Sequence, residues 1–99
     1  AQASDLERYA ELTLVQAWNR LAGARETVAA ASSTVGLAEE ALDIAVVSYE
    51  AGLTTRLEMD QAFLAHTQAR TNYASALFGM KTAEAGLAAA MGTLTANWK

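Results

Sequence analysis

The sequence predicts an all-α fold, a long antiparallel helical hairpin of coiled-coil type. Three observations carry this: an alanine-dominated chain with no proline, a seven-residue repeat of large and small side chains in each half, and one concentrated turn signal near Gly52. Long helices suit such a composition, because alanine has the highest helix propensity and proline is the strongest breaker. The 99 residues make one domain at most, read here as a single helical-hairpin domain over 1–99. A chain this short leaves much of its surface uncovered, so partners are expected.

The first helix is expected over about 5–51. Ser4-Asp5-Leu6-Glu7 fits a capping box, in which the Ser hydroxyl and the Glu carboxylate satisfy backbone N–H groups that lack intrahelical partners. No strong breaker follows until Gly52, and the weakest stretch is Ser32-Ser33-Thr34. At about 1.5 Å per residue this arm is roughly 70 Å long. Gly52 can take the left-handed conformation that closes a helix, and Thr55-Arg56-Leu57-Glu58 repeats the capping pattern, which places a tight turn at 52–55. The second helix is expected over about 56–91, stopped by Gly92 and followed by a short polar tail, 92–99, ending in Trp98 and Lys99. So short a connection makes the arms antiparallel neighbours. The first arm then exceeds the second by about three turns, leaving Leu6, Tyr9 and Leu12 without a mate in the chain.

Within the first arm Leu14, Leu21, Val28, Val35, Leu42 and Tyr49 recur every seventh residue, and a small residue follows each by three: Ala17, Ala24, Ala31, Ala38, Ala45 and Gly52. The second arm repeats the device with Met59, His66, Tyr73, Met80, Leu87 and Leu94, the first five followed by Ala62, Ala69, Ala76, Ala83 and Ala90. A strict seven-residue period keeps one seam facing the partner helix, where an ideal helix would drift by about 20° per heptad, and so implies a left-handed supercoil. Alanine at alternate seam positions brings the backbones close, toward the lower end of the usual spacing of about 8–10 Å. High helix propensity alone would not choose a register.

A second apolar set lies off this seam: Leu37, Ile44 and Val47 on the first arm, Leu57, Leu64 and Phe78 on the second. Each helix thus has more apolar surface than one partner covers, and the hairpin is expected to pack sideways on further helices.

Several function classes are set aside. Acidic residues outnumber basic ones by eleven to seven and the basic ones form no stripe, which argues against nucleic acid. The longest uncharged stretch, Ala85 to Trp98, falls short of the ~20 apolar residues of a transmembrane helix. There is no cysteine, no phosphate loop, no dinucleotide fingerprint and no Glu-x-x-His segment of a di-metal bundle. His66 shares a seam with Met59 and Met80, but two or more turns separate each pair, too far for one ion with bonds of about 2.0–2.3 Å. No catalytic, cofactor or metal site is expected, and the chain is read as a non-enzyme.

The order of residues from Ala38 to Gly92 resembles the hairpin-tip signature of TolC-type outer-membrane efflux proteins. In that family a helix ends in Tyr-x-x-Gly, a Ser or Thr follows, then an apolar-acidic-apolar triplet, and a second helix leads to an Asn-Tyr or similar pair and a Gly. Tyr49, Gly52, Thr55, Leu57-Glu58-Met59, Ala62, Asn72-Tyr73, Ala76-Leu77, Leu87 and Gly92 match that order. The resemblance implies a homotrimeric channel, a β-barrel in the cell outer membrane continued by an α-helical tunnel through the periplasm. This hairpin would be one stave of the tunnel, the second of two per subunit. Tyr49, Glu50, Gly52, Thr54, Thr55, Arg56, Glu58 and Asp60 would then lie at the periplasmic entrance, which the family gates and where it meets a periplasmic adaptor protein and, through it, an inner-membrane pump. Asp60 and Gln61 stand where the family more often has an apolar residue and then an acidic one, and Arg56 where it is variable and often aromatic. The charges of Glu50, Arg56, Glu58 and Asp60 are either solvated or paired across subunits in a shut tunnel; exposed pairs contribute only ~0–1 kcal/mol.

Two alternatives from other classes remain at this point. One is a free-standing secreted hairpin acting as a dimeric interaction protein, although small hairpins of the WXG type carry Trp-x-Gly at the turn where this chain has Tyr49-Glu50-Ala51-Gly52. The other is an interfacial helix pair on a membrane, poorly matched by an acidic polar face. Removed from its parent, the hairpin is expected to pair its spare apolar faces in a non-native dimer or bundle.

Overall fold

The computed structural model describes the backbone of residues 2–97 and the side chains of 5–92. Two helices account for nearly all of it: α1, Gln2–Glu50, of 49 residues, and α2, Arg56–Asn97, of 42. No strand occurs among the described residues. Two compact units divide the chain, one joining α1 as far as Glu26 to α2 from Leu77, the other formed by Thr27–Ala76 and containing the turn.

The seam appears within each unit as the heptad repeat requires. Along α1 the side chains withdrawn from solvent include 14, 17, 21, 24, 28, 31, 35, 38, 42 and 45; along α2 they include 59, 62, 66, 69, 73, 76, 80, 83, 87 and 90. Burial is deepest at Leu21, Ala69 and Ala83, each 5% exposed. In the first unit Leu21, Ala83 and Leu87 form a cluster, with Leu14, Ala17, Ala24 and Met80 packed against it. Large and small seam residues are thus packed together in this cluster. Full burial of a Leu contributes about 1.5–3 kcal/mol, so this thin core rests on a few side chains. Tyr49 departs from the pattern and is 39% exposed, because the helix turns away immediately after it. Leu94 lies outside the described side chains.

Three helix boundaries differ from expectation. Helix α1 begins at Gln2, not near residue 5, so the backbone of Ser4 is already helical; Gln2 and Ala3 are good helix formers. The side chain of Ser4 itself lies outside the described residues. At the other end α1 stops at Glu50, and the non-helical stretch is 51–55. Helix α2 runs six residues beyond the expected 91 and passes through Gly92. A helical Gly costs only about 1 kcal/mol relative to Ala, and Gly92 is followed by Thr93-Leu94-Thr95-Ala96, which extend the pattern instead of breaking it. The expected tail 92–99 is thus helix through Asn97, while Trp98 and Lys99 lie outside the described residues. The excess of α1 over α2 is seven residues, about two turns rather than three. Leu6, Tyr9 and Leu12 are exposed, as expected.

The weak stretch Ser32-Ser33-Thr34 holds its helix. Its threonine hydroxyl donates to the Ala30 carbonyl at 3.1 Å, as those of Thr13, Thr71 and Thr82 do to the carbonyls four residues before them. This back-bonding satisfies a polar β-branched side chain without leaving the helix.

Among the described glycines only Gly52 has a positive φ, 78°. An L side chain in that conformation costs roughly 1–2 kcal/mol, although nothing lies within 4 Å of an added Cβ. Gly52→Ala is therefore expected to lower stability by about 1 kcal/mol through backbone strain alone, measurable by urea denaturation, with an unchanged helical circular dichroism spectrum.

Candidate functional site: the hairpin tip

Tyr49, Glu50, Gly52, Thr54, Thr55, Arg56, Glu58 and Asp60 all belong to the Thr27–Ala76 unit and surround the turn. The turn is built from both sides. On the α1 side the Leu53 N–H donates to the Ser48 carbonyl at 2.8 Å and the Gly52 N–H to the Tyr49 carbonyl at 3.0 Å. With Gly52 left-handed, this pair is a Schellman motif, which satisfies carbonyls that the ending helix would otherwise leave unpaired. On the α2 side the Glu58 N–H donates to the Thr55 hydroxyl oxygen at 3.2 Å, so Thr55 is the N-cap and Glu58 the third helical residue.

The capping box is modified. The Thr54 hydroxyl donates to the Glu58 carboxylate, where a full box would have that carboxylate reach the N-cap N–H. Thr54 and Glu58 thus lock the turn onto the first turn of α2, and the negative charge of Glu58 sits at the helix N-terminus, where the dipole favours it. Replacing Thr55 by Ala is expected to cost about 1 kcal/mol. Hydrogen exchange at the first-turn amides of α2, Glu58 above all, checks this by faster exchange there than at the middle of the helix.

Glu50, Arg56, Glu58 and Asp60 are exposed, and no ion pair joins them among the described residues. The tip therefore exposes both signs of charge. Leu53, not singled out from the sequence, is 82% exposed at the apex, with Leu57 and Val47 nearby in the chain also exposed. The turn consequently presents an apolar point ringed by charge. Its sequence signal is the Gly-Leu-Thr-Thr order itself, since a bulky apolar residue directly after a helix-closing glycine has little of its own helix to pack on.

His66 is half-buried on the seam, as its heptad position implies. No group of three or more His, Cys, Asp or Glu among the described residues could hold a metal ion, and no described helix is long and apolar enough to cross a membrane.

Fold and tip together define a class, the helical hairpin with a capped, charge-bearing turn. Comparison with protein-family models, with curated proteins and with solved structures found no match to this chain.

Proposed function

We propose that this hairpin is a stave of a periplasmic α-helical tunnel in a trimeric outer-membrane efflux or export channel, with its turn at the gate and adaptor end. One observation carries the reading. The off-seam apolar residues, Leu37, Ile44 and Val47 on α1 and Leu57, Leu64 and Phe78 on α2, are all strongly exposed although they keep heptad spacing. Leu57 and Leu64 are seven apart and Phe78 fourteen further on, as are Leu37 and Ile44 at seven, with Val47 three beyond. A solvated helix face has no reason to hold such a period, whereas a second helical neighbour in a left-handed supercoil requires it. A stave flanked on both sides is such a helix, and the resemblance of Ala38–Gly92 to the tip signature of TolC-type proteins points the same way.

The mechanism of this reading is mechanical and involves no bond chemistry. Stiff helical pairs wall a duct, and movement at the tips, where Glu50, Arg56, Glu58 and Asp60 stand exposed, opens it. An antibody against this chain, used to blot fractionated source cells, tests the proposal. A band several times heavier than 10.4 kDa in the outer-membrane fraction is expected. A soluble or secreted band near that mass would overturn it in favour of a free-standing interaction hairpin.

A further inference from the structure

Gly23 and Gly79 both lie in the unit formed by α1 up to Glu26 and α2 from Leu77, close to its boundary on each arm. Ala24 and Met80, the residues directly after them, pack against the same cluster of Leu21, Ala83 and Leu87. The two glycines therefore stand within about one helical turn of a common level. Gly86, in the same unit, falls level with Trp18 by that count and has no glycine across from it.

Neither position needs a glycine for packing or for backbone conformation. Both are exposed, a Cβ added to either would meet nothing within 4 Å, and neither has the positive φ of Gly52. At other exposed helical positions in this unit the chain uses alanine, as at Ala22, Ala85, Ala88 and Ala89. What a helical glycine does bring is a loss of local helix stability, because its backbone has the most freedom to regain on opening. The neighbouring residues add to this. Thr27 and Val28 follow Gly23, and Phe78 and Thr82 bracket Gly79, all weaker helix formers than alanine. The Thr82 hydroxyl donates to the Phe78 carbonyl at 3.0 Å, a back-bond that competes with the helix ladder and favours bending.

We propose that the Gly23–Gly79 level is a built-in joint, where both helices open together while the Thr27–Ala76 unit stays folded. Bends in helices arise where the hydrogen-bond ladder is weakened, glycine being a recurrent cause. A weak point in one arm alone would be splinted by the intact helix beside it; two at one level are not. The arms are coupled there, since opening either one removes the seam packing of Ala24 or Met80 that the other relies on. Proteins open locally in cooperative units, and this level gives the pair a defined place to yield. The joint goes beyond the channel reading and does not rest on it, because it is a property of the two helices whatever they wall.

Amide hydrogen exchange on the whole chain tests it with Gly23→Ala, Gly79→Ala, the two together, and Gly36→Ala/Gly86→Ala as a control with the same gain in helix propensity. All four variants keep the fold, since a Cβ at any of these glycines meets nothing within 4 Å. In the unchanged chain the amides of 22–28 and 77–82 are expected to exchange faster than those of 38–45 and 62–69, once corrected for intrinsic rates. Each single substitution is expected to slow both stretches, its own and the one across the pair, by about fivefold, and the double by about 25-fold. The control is expected to leave both stretches within about twofold of the unchanged chain. Exchange no faster at this level than elsewhere, slowing confined to the substituted arm, no slowing in the double variant, or equal slowing in the control would each overturn the joint.

Discussion

Leu21→Ala is expected to lower stability by about 2–5 kcal/mol, the range for truncating a buried leucine and leaving a cavity. A chain of 99 residues has on the order of 5–15 kcal/mol in total, and this one, with few buried side chains, belongs near the low end. Leu21 is 5% exposed and sits at the centre of the cluster with Ala83 and Leu87. Leu14, Ala17, Ala24 and Met80 pack against this cluster, so truncating Leu21 removes a side chain from its middle. The loss should be local first, since proteins open in cooperative units. Amides of α1 before Glu26 and of α2 after Leu77 are expected to lose hydrogen-exchange protection, while those of Thr27–Ala76 keep theirs. Equal loss throughout would mean that the two units unfold as one.

Ala69→Leu is the opposite perturbation, in the other unit, and is expected to cost about 1–3 kcal/mol by overpacking. Ala69 is among the most buried residues of the chain and occupies a small-residue position of the seam. A leucine there would gain transfer energy in a loose interface and lose it in a close one, so the sign of the effect reports on backbone spacing. A thermal midpoint lowered by roughly 4–8 °C per kcal/mol is expected, and a raised midpoint would show that the helices leave room at this position. Gly52→Ala and Thr55→Ala perturb the turn more mildly, since each removes one local feature of a tip secured from both sides.

The seam was legible because the heptad is a long, redundant signal. Ten positions on each helix repeat the same large and small alternation, and no other packing satisfies all of them. The turn was legible for a different reason: Gly52 and Thr55 each have a stereochemical task that few residues can perform. Helix ends were less legible. Gly92 and Gly52 look alike in isolation; Gly52 has a positive φ and is followed by Thr54 and Thr55, whose hydroxyls bond the first turn of α2. At Gly92 the helix simply continues, to Asn97. Ser4 shows the converse, since the helix begins two residues before it, at Gln2.

At the tip the sequence placed the eight residues at one turn but did not disclose how Glu58 is used. Its carboxylate accepts from Thr54, a choice set by a rotamer at the turn and not by spacing. The exposed Leu53 was likewise hidden, because local sequence does not say whether a residue after a helix-closing glycine folds back or points outward.

The claim on which the functional account rests is that the off-seam apolar face is covered by further helices in the native assembly. Maleimide labelling of single cysteines, Leu64→Cys and Leu37→Cys, with Gln61→Cys as an exposed control, tests it most directly. The measurement is made both on this chain at low concentration and on the full-length gene product in intact membranes. The account predicts rapid labelling of all three in the isolated chain, and strong protection of positions 64 and 37, but not 61, in the membranes. Equal labelling of all three in both settings would contradict it.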